Sequence, residues 1–519
     1  MRDNWRPAMG WLHTWAGLIT GWLLCAIFMT GTLSVFREPI THWMRATPTL
    51  ATSAPPVSTE HAASRAFDYL GRHAAAAQRW RVDLPQRPGE ALRLFWSDAA
   101  GEQQRAMDPA SGALLPRPWG RDTDGGRHFM VFHYSLQAGL TGFWIVGVVS
   151  MGMLVALVSG VIVHKRIFSD FFTFRPNKGQ RSWLDAHNAC GVLALPFLFM
   201  ITLTGLAIFY SSYMPLPLRI AYGADDGAYE RFQQALSEEP ASPRRERSGV
   251  PAAVPHIAPL LRQARDLTGS EMQMLLLEHP GDSSMVLRML GSEPDGSTSG
   301  SIRNQRAAVL FDGASGVPLQ VRKPDPHAHQ SVGHATHSVV EHLHFARFGG
   351  WTMRWLYFLS GLAGTALMAT GTILYLVKRR QKSGGEFGAA TARVYRCIEA
   401  LNIASISGCA LACIAYFYGN RLLPVALAER GVWEVRIFLL VWLAALAHAA
   451  LRPRAAAWRE QWSLAALLCL GLPLLNFVTT GQHLGRYALR GDWQAAGVEL
   501  VALSCGALMI VIARKGRTS

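Results

Sequence analysis

The stretch "WLHTWAGLITGWLLCAIFMTGTL", Trp11–Leu33, is apolar and about as long as the roughly 20 residues needed to cross a bilayer core of about 30 Å. It nevertheless carries a histidine, His13, near its start. An imidazole in hydrocarbon is costly unless it is paired or ligating, so a histidine at that depth is a functional signal. Taken alone, His13 reads equally as a headgroup-level residue among Trp11 and Trp15. The rest of the chain decides between the two readings.

The stretch occurs twice. Adding 174 to its numbers lands on "DAHNACGVLALPFLFMITLTGL", Asp185–Leu206, where His13 maps to His187, Gly17 to Gly191, Thr30 to Thr204 and Gly31 to Gly205 without a gap. A second pair of segments repeats at an offset of 211: His133 maps to His344, Gly139 to Gly350, Ser159 to Thr370 and Gly160 to Gly371. Fixed-offset similarity of this kind marks architectural units. The first four apolar helices are therefore expected to form a duplicated helix pair, each copy with one histidine near each membrane face. The small residues of the TG and SG sites let helices approach and leave room for a flat ligand.

The composition agrees with a membrane protein. Half of the 519 residues are apolar, and eight spans are predicted: Trp11–Phe36, Leu140–His164, Trp183–Tyr210, Trp351–Val377, Cys397–Tyr418, Trp433–Ala450, Trp462–Thr480 and Trp493–Ala513. The first opens with Arg2 and Arg6 like a signal peptide, but it is too long and lacks a small-residue cleavage site, so it reads as an uncleaved anchor. The net charge of +15 gathers after alternate spans: Lys165, Arg166, Arg175, Lys178 and Arg181; Lys378, Arg379, Arg380 and Lys382; Arg452, Arg454 and Arg459; Arg514, Lys515 and Arg517. By the positive-inside rule these segments and both termini are cytoplasmic, so the charge reports topology in the lipid bilayer and not a nucleic-acid partner. The seven cysteines include no CxxC or CxxCH, which argues against a disulfide framework and against covalent haem. Cys409 and Cys413 read as core packing.

Imidazoles facing one another from neighbouring helices suit axial ligation of a b-type haem, which needs no cysteine. A carboxylate-rich metal site would need acidic residues at depth, and the spans offer little beyond Asp185. His13 and Thr30 are 17 residues apart in sequence, about 25 Å of helix rise. One cofactor at each end is thus the arrangement that spans the insulating layer. His13 and His187 form the expected cytoplasmic-side pair, His133 and His344 the outer pair. His342 is the rival of His344, and His128 a weaker rival of His133. His164 ends the second span and reads as an interfacial residue or a supporting partner. The run "HAHQSVGHATHSVVEHLHF" (327–345), with His327, His329, His334 and His337 besides, reads as a polar loop leading to the ligand or as a metal-binding tract. His448 and His483 have no repeat partner and receive no haem role.

Two long polar stretches fall on the outer side. In the first, a helical pattern at 60–75 precedes strand-like "RWRVDL", "ALRLFW" and "QQRAMD". In the second, "HIAPLLRQARDLTG" precedes "EMQMLLLEH", "SMVLRML" and "RAAVLFDGASGVPLQ". Asp108-x3-Gly112 and Asp312-x3-Gly316 mark equivalent structural turns. Loops are expected at 240–251 and 291–301, with Arg244, Arg245 and Arg247 solvated or meeting an anionic substrate.

Taken together, "WLHTWAGL…MTGTLSVF", "FHYSLQAG…SGVIVHKR", "DAHNACGV…LTGLAIFY", "HLHFARFGG…ATGTILYLVKRR" and the two D-x3-G turns resemble the PepSY-associated transmembrane proteins over roughly residues 9–382. That family includes bacterial inner-membrane ferric-siderophore reductases. The resemblance implies two b haems, one on His13 and His187 and the other on His133 and His344, with electrons delivered to periplasmic ferric chelates. The expected organisation is a first transmembrane helix (1–36), a PepSY-like periplasmic α+β domain (37–139), helices two and three (140–210), a second PepSY-like domain (211–350), helix four (351–382) and an additional four-helix region (394–513) outside the family core. No Rossmann or flavin fingerprint is present, so the donor is expected to be membrane quinol or a separate flavin protein. Rival readings are a haem- or metal-binding transporter or carrier, and a non-enzymatic PepSY regulator of a periplasmic protease. Against transport, the first four spans show no mid-helix break or buried charge, although Pro196 and Pro473 are positions where a helix could kink.

Overall fold

The computed structural model describes residues 5–50, 57–87, 89–98, 101–164, 175, 178–225, 227–229, 231–232, 245–291, 307–323, 332–382 and 387–515. Lys165, Arg166, Arg244, His327, His329, Arg517 and, of the loops expected at 240–251 and 291–301, residues 240–244 and 292–301 lie outside the described residues, as does the side chain of His334. Two compact units are present, one formed by residues 1–46, 121–213 and 352–519 and the other by 47–120 and 214–351.

The first unit is helical. Its spans are α1 (Trp5–Ser34), α5 (Gly139–Val163), α6 (Gln180–Ile208), α9 (Gly350–Lys382), α10 (Gly388–Leu422), α11 (Arg430–Leu451), α12 (Arg454–Thr480) and α13 (Trp493–Lys515), with short helices α2 (Arg37–Arg45) and α4 (Arg127–Ser135) beside them. Among the described residues eight helices are long and apolar enough to cross a membrane, matching the eight predicted. The first begins at Trp5 instead of Trp11 because Pro7, in its opening turn, removes no intrahelical hydrogen bond there. Pro196 and Pro473 lie within helices that run on past them.

The extra helices are organised around α10, of whose apolar window 89% is buried, against 22% for α6. Small residues on its Gly408–Ala415 face allow this close packing. Gly408 comes so near α11 that an added Cβ would lie 3.0 Å from Ala445. One wide turn, Ala404–Gly408, interrupts α10. Such a turn leaves carbonyls without their usual partners, and Trp442 Nε1 donates to Ala404 O at 2.8 Å. Asn402 joins this bundle to the first four spans, accepting from Trp22 Nε1 at 2.7 Å and donating to Thr372 O at 3.3 Å.

The second unit holds a seven-stranded antiparallel sheet in the order β3-β2-β1-β4-β5-β6-β7. Its strands are β1 (Arg79–Asp83), β2 (Leu92–Asp98), β3 (Gly101–Met107), β4 (Met272–Glu278), β5 (Val286–Gly291), β6 (Ala308–Asp312) and β7 (Pro318–Arg322). The two polar stretches, expected as two small domains, thus contribute two halves of one sheet. The seam is β1 against β4, with Trp80 opposite Leu277 and Val82 opposite Leu275. Alternation puts Trp80, Val82, Leu94, Leu275, Leu277, Leu287 and Phe311 in one core with the apolar faces of α3 (Thr59–His73) and α7 (Ile257–Thr268). Each such fully buried apolar side chain contributes about 1.5–3 kcal/mol. A further helix, α8 (Val332–Phe345), belongs to this unit.

The two D-x3-G turns are equivalent, as expected. Asp108 accepts from Ala110 N at 2.9 Å and Ser111 Oγ at 2.7 Å, while Asp312 accepts from Ser315 N and Oγ, both at 2.9 Å. Gly112 and Gly316 supply the positive φ, 73° and 71°, that a side chain would resist. Arg245 is paired rather than solvated, its Nη1 lying 2.6 Å from Asp312 Oδ2. Burial would raise the Asp312 carboxyl, but hydrogen bonds from Arg245 and Ser315 hold it down at about 2.

Candidate functional site

In the helical unit the repeat motifs meet as rings and sockets. His13, on α1, packs against Gly160 of α5, where an added Cβ would lie 3.0 Å from its Cε1. Its Nδ1 is 2.8 Å from Ala156 O, the carbonyl one turn before that glycine. His187, on α6, packs the same way on Gly371 of α9, with a hypothetical Cβ at 3.0 Å and Nδ1 3.1 Å from Leu367 O. His133, on α4, packs on Gly31 of α1, with a hypothetical Cβ only 2.5 Å from its Nδ1, which is 2.8 Å from Ile27 O. At Gly31, Gly160 and Gly371, three of the four TG and SG sites, the room is therefore filled by imidazole.

The hydroxyls beside these glycines are occupied too. Ser159, Thr30 and Thr370 each donate to the carbonyl four residues back, at 2.6, 2.8 and 2.7 Å. Thr370 Oγ1 then lies 3.3 Å from His187 Nδ1 as a further acceptor.

A carbonyl can only accept, so each Nδ1 must carry the proton and donate it. The neutral ring then has its lone pair on Nε2, the form a metal-ligating histidine takes when its other nitrogen is anchored. Here carbonyls of α5, α9 and α1 provide that anchor.

The rings of His13 and His187 face one another, with centres 6.3 Å apart and planes at 68°. Two imidazoles on opposite sides of one metal, with bonds of about 2.1 Å and ring centres about 1.1 Å beyond each nitrogen, would be roughly 6.4 Å apart. The His13–His187 separation is of that size, as is the 6.4 Å between His13 and His164. Among the described residues no group of three or more His, Cys, Asp or Glu could hold a metal ion. Gly17, one turn from His13 on the same face, has nothing within 4 Å of a hypothetical Cβ, so that face of α1 is open.

His164, at the end of α5, lies beside this pair, its ring centre 6.4 Å from that of His13. Among the described residues, however, it makes no carbonyl anchor like those of His13 and His187. Asp185, at the start of α6, is held by Arg175 through Nε at 2.9 Å and Nη2 at 2.8 Å. It shapes the helix entry and is not a ligand.

At the other end of α1, His133 is anchored as described, whereas His128 faces away from α1. His128 is fully buried, stacked on Tyr416 with centres 4.4 Å apart and edge-on to Phe438 at 4.6 Å. It is a core histidine. His342 and His344 lie on α8 in the sheet unit. His342 is buried with Nδ1 2.7 Å from Ser338 O of its own helix, while His344 is half-buried with its ring edge-on to Phe345.

Both remaining histidines of the extra helices have structural partners. His448 lies between Glu460 Oε2 at 2.8 Å and Gln461 Nε2 at 3.2 Å, and His483 accepts from Arg486 N at the start of a short helix. Cys409 and Cys413 are buried and unpaired, as expected of core residues.

The sequence reading passed over one group. Arg421, Arg430, Glu434 and Glu499 are all buried. Arg430 pairs with Glu434, and Arg421 donates to Asn476 Oδ1 at 2.9 Å and Trp43 O at 2.7 Å, with its guanidinium 3.7 Å from the Trp43 ring. The available signal was charge at the ends and within the faces of apolar helices, where it is expensive.

Comparison with known proteins gives two results. The PepSY-associated TM region matches residues 10–378. An uncharacterized protein of Pseudomonas aeruginosa is 27% identical over 386 residues, which cover 73% of this chain and 91% of that protein.

Proposed function

The chain belongs to the PepSY-associated transmembrane family, and on that premise we propose that it is an inner-membrane di-haem b reductase passing electrons outward to periplasmic ferric chelates of the ferric-siderophore type. The observation that carries this reading is the pair His13 and His187, facing at 6.3 Å with both Nδ1 atoms on helix carbonyls. Bound haem b would supply a one-electron iron couple at each end of the bundle. His13 and His187 would hold the cytoplasmic-side group, and His133 with His344 the outer one.

The protein's part is then positional. The glycine sockets orient the rings, the carbonyl anchors keep Nε2 deprotonated, and the apolar helices exclude water. No side chain acts as acid, base or nucleophile. One electron converts one chelated Fe(III) to Fe(II), and the supply comes from membrane quinol or a separate flavin protein. Both termini are cytoplasmic in this reading, with the sheet unit in the periplasm.

Haem quantification with a reduced-minus-oxidised spectrum tests the reading. Two low-spin haems per chain are expected in the wild type, and His13→Ala and His187→Ala should each lose the same one. A colourless wild-type protein would sink the reading in favour of a regulatory role. Haems that no ferric chelate can oxidise would favour a carrier.

A further inference from the structure

We propose that two of the four C-terminal helices, α10 and α11, are a clamp that fixes the segment 121–135 and so aims the His133 imidazole, with Tyr416 and Glu434 as its positioning residues. The functional part of this inference rests on His133 being a haem ligand. The mechanical part does not.

Nine residues of helix do not hold themselves together in isolation, so α4 must be stabilised by its neighbours. One side of it gives His133 to α1, through Ile27 O and Gly31. The other side gives His128, Phe129 and Phe132, all with almost no exposed surface, to the aromatic rings of α10 and α11.

The chain leading into α4 is held as firmly. Tyr416 OH donates to Gly125 O at 2.8 Å, Thr123 Oγ1 donates to Glu434 Oε2 at 2.5 Å, and Arg430 Nη1 donates to Asp122 O at 2.8 Å. Gly431 approaches so closely that an added Cβ would lie 3.0 Å from Asp124 N. Four consecutive residues, 122–125, are thus tied to α10 and α11. The buried pair Arg430 and Glu434 becomes intelligible on this basis. A buried ion pair is weak as a source of stability but well suited to fixing one arrangement.

A ligand ring must be held within about 10–20° of its working orientation. Loosening 121–135 would therefore change the outer haem and leave the His13 and His187 site alone. The extra helices would act through His133 without carrying electrons.

The test uses the full chain in lipid nanodiscs, by hydrogen–deuterium exchange and by electron paramagnetic resonance of the oxidised haems. Tyr416→Phe removes one hydroxyl and keeps the ring, Glu434→Gln removes a charge and keeps the shape, and Ser407→Ala removes a hydroxyl bonded to Gln461 at 2.9 Å elsewhere on α10. Peptides covering 121–135 should exchange about tenfold faster in the first two variants, the size expected of one lost buried hydrogen bond, with peptides of α1 unchanged. The low-spin signal of one haem should shift in the same two variants, and Ser407→Ala should alter neither readout. Unchanged exchange over 121–135 in both variants, or equal acceleration across all spans, would overturn the clamp. A wild-type protein without haem would refute the proposed function while leaving the exchange result to decide the clamp.

Discussion

At the scale of single residues, a histidine here is defined by the glycine it lies on. Gly31 cannot gain a methyl group without displacing His133, since the new carbon would lie 2.5 Å from Nδ1. Overpacking of this kind costs about 1–3 kcal/mol, so Gly31→Ala should lose or perturb one haem of the two in a haem-to-protein titration, and retention of both with unaltered bands would contradict the socket. Gly17 offers the converse case. It meets nothing within 4 Å, so Gly17→Leu should leave the apoprotein as stable as wild type yet exclude the haem beside His13; equal haem content in the two proteins would show that the space is not used. The repeat presented Gly17 and Gly31 as equivalent landmarks, and only packing separates a socket from an open face. For the same reason His128 and His133, five residues apart on one short helix, could not be ranked by mechanism from sequence. Facing direction decides between them. In the sheet unit, Asp312 provides a pH test. Its carboxyl is held at about 2 instead of the ordinary 3.8, so the stability it contributes is present above about 4 and is lost as pH falls toward 2. Exchange protection of residues 286–291 and 307–322 should fall through that window relative to neutral pH, and Asp312→Asn should remove most of the difference; an identical acid profile in the variant would count against it.

At the scale of elements, the sheet seam carries a consequence for cooperativity. Because β1 and β4 pair along five residues each, from Arg79 opposite Glu278 to Asp83 opposite Met274, the halves share one core and should loosen together. Leu277 is fully buried opposite Trp80, and Leu277→Ala is expected to cost about 2–5 kcal/mol. Exchange should rise in β2 and β5 alike, and acceleration confined to β5 would mean that the halves fold independently. The individual strands were legible from alternation and from the D-x3-G turns. Their union was not, because the partners Val82 and Leu275 are separated by almost the whole span of the intervening chain, and strand pairing at that distance leaves no local pattern. The spans were legible for the opposite reason, since hydrocarbon demands a long apolar run for each crossing. The wide turn at Ala404–Gly408 and the burial of α10 escaped notice because apolarity does not distinguish lipid from protein as a neighbour.

At the scale of the whole molecule, the functional claim is a relay, and α1 sets its length. His13 and the socket glycine Gly31 are 18 residues apart on this one helix, a rise of about 27 Å, close to the thickness of the hydrocarbon core. The two sites are therefore expected to fail differently. Removing His133 should leave the His13 and His187 haem reducible by the native donor but unable to pass electrons to an external ferric chelate. Removing His187 should leave the other haem reducible by dithionite and oxidisable by the chelate, yet beyond the reach of the native donor. Stopped-flow absorbance on His133→Ala and His187→Ala proteins in nanodiscs would separate the two behaviours, because the donor and the chelate can be added in turn. The asymmetry follows from distance alone, since tunnelling across the full hydrocarbon thickness is far slower than two shorter steps. If the His133→Ala protein reduced external chelate at the wild-type rate, electrons would not be passing through that end of α1, and the relay would fail even with both haems present.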